Sequence, residues 1–156
     1  MKTTWIGLDE KKSATVIDGL NKTLANFQVY YQNLRGLHWN ITGKNFFELH
    51  VKFEELYTDA QLKIDLIAER ILTLGGTPLH TFSDYLSLAK LEVGKNVTED
   101  KNAVNLIVEN LKTLLTLLRK NLKSAQELED EGTITMLTDF VMQLEKQVWM
   151  FNAWLK

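Results

Sequence analysis

Apolar residues recur every three or four positions along most of the chain, and the only proline is Pro78. This spacing is that of one buried face on a helix, whereas a half-buried strand would alternate every second residue. Long stretches without proline also allow long uninterrupted helices. The pattern therefore predicts an all-α protein.

Four long helices are predicted from these apolar stripes. At the start of helix B, Asn45 and Glu48 have the spacing of a capping box, in which each side chain bonds the other residue's backbone N–H. Gly75 and Pro78 then end that helix. The predicted helices A to D are about Glu10–His38, Asn45–Leu74, Glu99–Ala125 and Gly132–Leu155.

The connections between these helices define the topology. Short links make A with B, and C with D, antiparallel hairpins. Segment 75–98 is long enough to return along helix B, which spans about 43 Å at 1.5 Å per residue. Helices B and C are then parallel, as in a ferritin-like four-helix bundle. Ser83 is predicted to cap a short extra helix within this crossover.

Length and composition limit the classes of protein. A chain of 156 residues fits a single domain, residues 1–156. It contains no cysteine, so any metal must be bound by nitrogen and oxygen. The first ten residues lack the apolar run of a signal peptide, and no apolar stretch has the length of a membrane span. The expected location is the cytoplasm.

Helix B carries four candidate metal ligands. His50, Glu54, Asp65 and Glu69 fall near 0°, 40°, 60° and 100° on a helical wheel, so they share one polar, ionisable face. The first two and the last two lie roughly 22 Å apart along the axis, which is too far for one metal. A single chain cannot close a site with both pairs.

Two copies of helix B packed antiparallel about a two-fold axis near Asp59 and Ala60 would bring the pairs together. His38 ends helix A, and the tight turn after it returns the chain to the start of helix B. Each shared site would then hold three residues from one subunit and two from its mate. The predicted ligands are His38, His50 and Glu54, with Asp65 and Glu69 of the partner subunit.

This set of two imidazoles and three carboxylates suits iron, manganese or zinc. The Glu-x-x-His motif of ferritin-type di-iron sites, which are built inside one bundle, is absent. A site between subunits is therefore favoured over a site within one bundle.

Four motifs resemble the Dps mini-ferritin family, in order and over nearly the whole chain. They are His38-Trp39-Asn40, Gly43-Lys44-Asn45-Phe46-Phe47-Glu48-Leu49-His50, Asp65-Leu66-Ile67-Ala68-Glu69-Arg70 and Glu145-Lys146-Gln147-Val148-Trp149-Met150.

The resemblance implies a hollow homododecamer with tetrahedral symmetry. Its inter-subunit ferroxidase centres would oxidise Fe(II), with hydrogen peroxide preferred to dioxygen, and the Fe(III) mineral would be stored inside. The family's site residues map onto His38, His50, Glu54, Asp65 and Glu69. Members carry Asp or Glu at the position of Glu54, and whether each site holds one metal or two stays open.

Other features have structural as well as functional interpretations. Trp39 is interpreted in the first place as a packing residue, and the alternative is an oxidisable ring beside the metal. His80 is expected at the surface. The run of Glu127, Glu129, Asp130 and Glu131 is either a solvated turn or, by the resemblance, the lining of acidic three-fold pores. Thr135 stands where many members have an aspartate.

A second functional class is a DNA-binding nucleoid protein, since several relatives bind DNA through lysine-rich tails. This chain lacks a long basic extension, and its formal net charge is -2. An acidic shell opposes approach to a polyanion, so DNA binding is not expected. A third class, a purely structural helical assembly, would leave the ligands on helix B unexplained.

Overall fold

A computed structural model describes residues 1–156 and contains four long helices and one short helix. The predicted all-α bundle, with a short extra helix in the long crossover, is confirmed. The helices are α1 (Glu10–Asn40), α2 (Phe46–Thr73), α3 (Phe82–Leu88), α4 (Asp100–Leu128) and α5 (Glu131–Leu155). Each long helix begins and ends within three residues of its predicted limits.

The long helices bury their apolar stripes in one cluster of 31 residues. Helix α1 packs against α2, α3 and α4, and α4 also packs against α5. The largest buried side chains include Phe27 on α1 and Phe53 on α2, neither of which is exposed. Burial of this apolar surface is the main favourable term for the bundle. None of the helices is long and apolar enough to cross a membrane.

Three asparagines on α1 hold the crossover against the bundle. The Asn33 amide donates to the Glu92 carbonyl at 2.8 Å and its oxygen accepts from the Gly94 N–H at 2.9 Å. The Asn26 oxygen accepts from two consecutive backbone N–H groups. Asn21 bonds the backbone on either side of Pro78, because its amide donates to the Thr77 carbonyl and its oxygen accepts from the Leu79 N–H. These side chains satisfy backbone groups that have no helical partner. Helical periodicity alone does not predict these contacts.

Two predicted helix caps are wrong. Asn45 stands at the start of α2 but makes no side-chain capping bond. Its amide instead donates to the Asp100 carboxylate at 2.6 Å and thereby ties α2 to α4. This hydrogen bond is the main cause that lowers the pKa of Asp100. In the crossover, Thr81 rather than Ser83 caps α3, because its hydroxyl accepts from the Asp84 N–H at 3.2 Å.

The corner between α4 and α5 is only partly a solvated acidic turn. Glu129 ends α4 in the left-handed region at φ 59°, and Asp130 caps α5 through Thr133. The Asp130 side chain is only 2% exposed and pairs with the Arg70 guanidinium at 2.6 Å. A Cβ on Gly132 would lie 2.7 Å from that guanidinium, so glycine lets the arginine approach. Asp130 is therefore a structural residue and not a pore-lining one.

Candidate metal centre

His38 and His50 form a stacked pair at the turn between α1 and α2. Their ring centroids lie 3.8 Å apart and the ring planes differ by 11°. The Nδ1 atom of His38 lies 2.6 Å from the His50 carbonyl oxygen, and the Nδ1 atom of His50 lies 2.7 Å from the His38 carbonyl oxygen. The short turn thus brings together two imidazoles that are twelve residues apart in the chain.

These reciprocal hydrogen bonds define which nitrogen carries the proton in each neutral ring. A carbonyl oxygen can only accept, so each Nδ1 must carry a proton and donate it. In the neutral ring, Nε2 then keeps its lone pair and is available as a metal ligand. A backbone carbonyl bonded to the other ring nitrogen is also the usual device that orients a metal-binding histidine. Each neutral imidazole can therefore offer its Nε2 lone pair to a metal without a hydrogen bond from any carboxylate.

Aromatic side chains enclose this pair on both sides. Phe46 stacks on His50 with centroids 4.9 Å apart, and Tyr57 meets the His38 ring edge-on at 5.4 Å. The Tyr57 hydroxyl donates to Glu54 at 3.3 Å. Burial, followed by the charge of Glu54, raises the pKa of Tyr57, so the phenol stays protonated and able to donate. This hydrogen bond occupies one Glu54 oxygen and leaves the other available.

Asp65 and Glu69 lie on the same helix as His50 and Glu54 but farther along it. Both are exposed, three to five turns beyond His50 and Glu54 on α2. Within this one chain, no three histidine, aspartate or glutamate side chains are grouped so that they could hold a metal ion. The chain therefore brings His38 and His50 together and leaves the two carboxylates of the second pair apart from them.

The face of α2 that was predicted to be polar and ionisable also carries apolar side chains. Five large apolar side chains on it are between 48% and 82% exposed, and they fall between about 40° and 160° from His50 on a helical wheel. The buried Leu49, Phe53 and Ile67 fall on the opposite side, between about 260° and 300°. The helix therefore has two apolar faces, of which one is uncovered. The exposed residues are Phe47, Val51, Leu62, Leu66 and Leu72.

Comparison with known proteins identifies the family. Residues 17–156 match the ferritin-like domain family. The crystal structure of a Dps protein from Vibrio cholerae O1 superimposes with a TM-score of 0.98 at 49% identity, covering 100% of this chain and 98% of that chain. This chain belongs to the Dps-type mini-ferritins. The resemblance inferred from its motifs is confirmed.

Two other comparisons agree with this membership of the mini-ferritins. A DNA protection during starvation protein from Porphyromonas gingivalis is 40% identical over 148 residues, which cover 95% of this chain and 93% of that protein. A Dps crystal structure from Bacillus brevis has a TM-score of 0.91 at 38% identity and full coverage of both chains. The Vibrio protein is described as a member of a broad superfamily of ferritin-like diiron-carboxylate proteins.

The other two candidate residues of this mini-ferritin, Trp39 and His80, are exposed. Trp39 follows His38 but is 56% exposed, and the Arg35 guanidinium lies 4.8 Å from its ring centroid. The Trp39 ring is therefore not packed in the core of the chain. His80 is exposed, and its Nδ1 lies 3.0 Å from the Pro78 carbonyl oxygen.

Proposed function

We propose that this mini-ferritin binds and oxidises Fe(II) at sites shared by two subunits. The observation that carries the proposal is the His38–His50 pair, whose Nδ1 atoms are both committed to carbonyl oxygens. Two free Nε2 atoms, with the exposed Glu54 one turn after His50, would make half of a mixed nitrogen and oxygen site of the kind that suits iron. The other half must come from outside the chain.

A second copy supplies that half if the two α2 helices pack antiparallel. With the two-fold axis between Asp59 and Ala60, Glu69 lies opposite the partner's His50 and Asp65 opposite the partner's Glu54, because each pair is equally distant from the axis. The same register sets Leu72 against the partner's Phe47. The packing would therefore cover the uncovered apolar face while it completes two identical sites.

The proposed reaction consumes both Fenton reagents together. Two Fe(II) ions each give one electron to one hydrogen peroxide molecule, which takes up two protons and leaves as two waters. Paired oxidation avoids the one-electron reduction of peroxide that releases hydroxyl radical. The protein's residues bind both ions, hold them at a fixed separation and limit access of water. Dioxygen would be the alternative oxidant, and the Fe(III) product would be stored inside a cytoplasmic dodecamer.

Metal-soaked crystals test this proposal directly. We expect one or two anomalous peaks per site, bounded by His38, His50 and Glu54 of one subunit and by the partner's Asp65 and Glu69. The His50→Ala variant should lose these peaks, whereas His80→Ala should keep them, because His80 lies in the crossover. Peaks inside a single bundle, or none at the two-fold interface, would contradict the proposal.

Iron uptake is expected to depend on the exposed acids at the α4–α5 corner. Glu127 and Glu131 are exposed, and a ring of carboxylates repeated about a three-fold axis attracts cations. Replacing both by Gln should slow mineral growth severalfold at low salt, with a smaller effect at high salt because charges are screened. The measurement is the rate of mineral absorbance across ionic strengths. Asp130 is left unchanged in this variant because its side chain is buried. An unchanged rate of mineral growth would exclude this entry route.

DNA protection, if this protein provides it, should come from removal of iron and peroxide. The chain has a formal net charge of -2, so the assembled shell should repel DNA. We expect no gel retardation of duplex DNA by metal-free protein at low salt. Retardation at submicromolar protein would instead favour a DNA-binding nucleoid protein.

A further inference from the structure

The first nine residues form a small ordered structure at the end of α2. Thr3 pairs with Asp9 in an antiparallel bridge, and a turn from Thr4 to Gly7 reverses the chain. The indole Nε1 of Trp5 donates to the Thr73 carbonyl oxygen at 2.6 Å. The Trp5 side chain is nevertheless 78% exposed. A large apolar ring is thus held in a defined position with most of its surface in water.

An exposed ring at this position is unusual for an isolated chain. Burial of tryptophan is strongly favourable, and a tryptophan with a satisfied N–H and an open apolar ring is typical of interfaces. Leu72, which neighbours the hydrogen-bonded Thr73, is itself 51% exposed. The end of α2 and the N-terminal segment therefore present apolar surface together.

The proposed register of the α2 pair identifies what this surface meets. The arrangement that sets Glu69 opposite the partner's His50 also sets Leu72 and Thr73 opposite the partner's Phe47 and Phe46. Phe47 is 82% exposed and lies one turn before His50. Two exposed aromatic side chains thus lie at opposite ends of α2, Trp5 beside its last residue and Phe47 near its start.

We propose that Trp5 of each subunit packs on the partner's Phe47 and forms the outer wall of the metal site there. The inference rests on the proposed shared site and adds the N-terminal segment to it. The wall lies on the far side of the partner's His50 from the bundle core. It limits exchange of water and metal ions between the site and the surroundings. Each subunit then contributes two carboxylates and an aromatic cover to its neighbour's site.

Engineered disulfides test this contact, since the chain contains no cysteine. The Trp5→Cys/Phe47→Cys double variant should form covalent dimers on mild oxidation, seen on a non-reducing gel. A bond within one chain is excluded, because Trp5 lies at Thr73 and Phe47 is about 39 Å away along α2. Each single-cysteine variant is a control. A ladder of trimers and larger species would place the contact at another interface and overturn the proposal.

A second cysteine pair separates this inference from the shared site itself. Thr58 and Gln61 are exposed, and they lie opposite each other across the proposed axis. Dimers from Thr58→Cys/Gln61→Cys without dimers from the Trp5/Phe47 pair would keep the shared site and reject the aromatic wall. Failure of both pairs would reject the register and the wall together.

The effect on the site is measured with Co(II), which binds without oxidation in the assay. We expect Trp5→Ala to release Co(II) to a chelator about fivefold faster than the parent protein, because one aromatic contact is lost. Met142→Ala, which removes an exposed apolar side chain from α5, should leave the release rate unchanged. Equal release rates for Trp5→Ala and the parent would show that Trp5 does not close the site.

Discussion

Joint refolding of His50→Ala and Asp65→Ala chains is expected to restore about a quarter of wild-type sites, although each variant alone should lack function. The reason is that these two residues lie about 22 Å apart on one helix and must serve different sites. In a mixed dimer, one site has both defects, while the other combines an intact His50 with the partner's intact Asp65. With random pairing, about half of the dimers are mixed.

The measurement is the initial rate of Fe(II) oxidation by peroxide, with native mass spectrometry to confirm mixed assemblies. A mixture of His50→Ala with His38→Ala is the matched control. Both changes fall on the same half of the site, so neither site of that mixed dimer has both imidazoles. Mixed assemblies of the first pair that are no more active than the separate variants would show that the site is not shared.

The Arg70→Ala variant is expected to lose about 3–5 kcal/mol of stability, because it leaves the buried Asp130 carboxylate without its cation. That carboxylate is 2% exposed and is otherwise bonded only to Thr133. Urea denaturation at a fixed protein concentration measures the loss, since assembly makes apparent stability depend on concentration.

Arg119→Ala is the matched control for this change. Arg119 also pairs with a carboxylate, Glu145, at 3.0 Å, but both side chains are about half exposed. An exposed pair contributes less than about 1 kcal/mol. Equal losses of unfolding free energy in the two variants would show that burial of Asp130 is not the cause of the loss in Arg70→Ala.

The Arg70–Asp130 pair also connects the proposed site with the α4–α5 corner. Arg70 follows Glu69 directly, so its bond to Asp130 holds the end of α2 that carries the second carboxylate pair. Loss of the pair is therefore expected to weaken metal binding as well as stability.

The fold could be predicted well because its causes are local and periodic. Apolar spacing and a single proline were enough to define four helices, and the length of segment 75–98 was enough to predict the crossover. The caps at Asn45 and Ser83 were predicted wrongly because a capping pattern is also satisfied by other partners. Asn45 has Asp100 within reach, and that carboxylate belongs to a helix more than fifty residues away.

The sequence predicts the candidate site as a set of residues but not as a chemical arrangement. Helical spacing shows that His50, Glu54, Asp65 and Glu69 share a face, and the motif resemblance adds His38. The helical wheel did not reveal the stacked imidazoles, the hydrogen bond from Tyr57 or the bond between Trp5 and the end of α2. Each depends on distances between segments that periodicity does not encode.

The sequence by itself determined the helices, their order and the candidate ligands, because each follows from side-chain character and the fixed rise and turn of an α-helix. Only the tertiary structure decided the tautomer of the two imidazoles, since the turn between α1 and α2 sets each Nδ1 against the other residue's carbonyl. It also decided that Asp130 is buried and that α2 keeps an uncovered apolar face. Burial and hydrogen-bond partners arise from contacts between distant segments, which the order of residues alone does not specify.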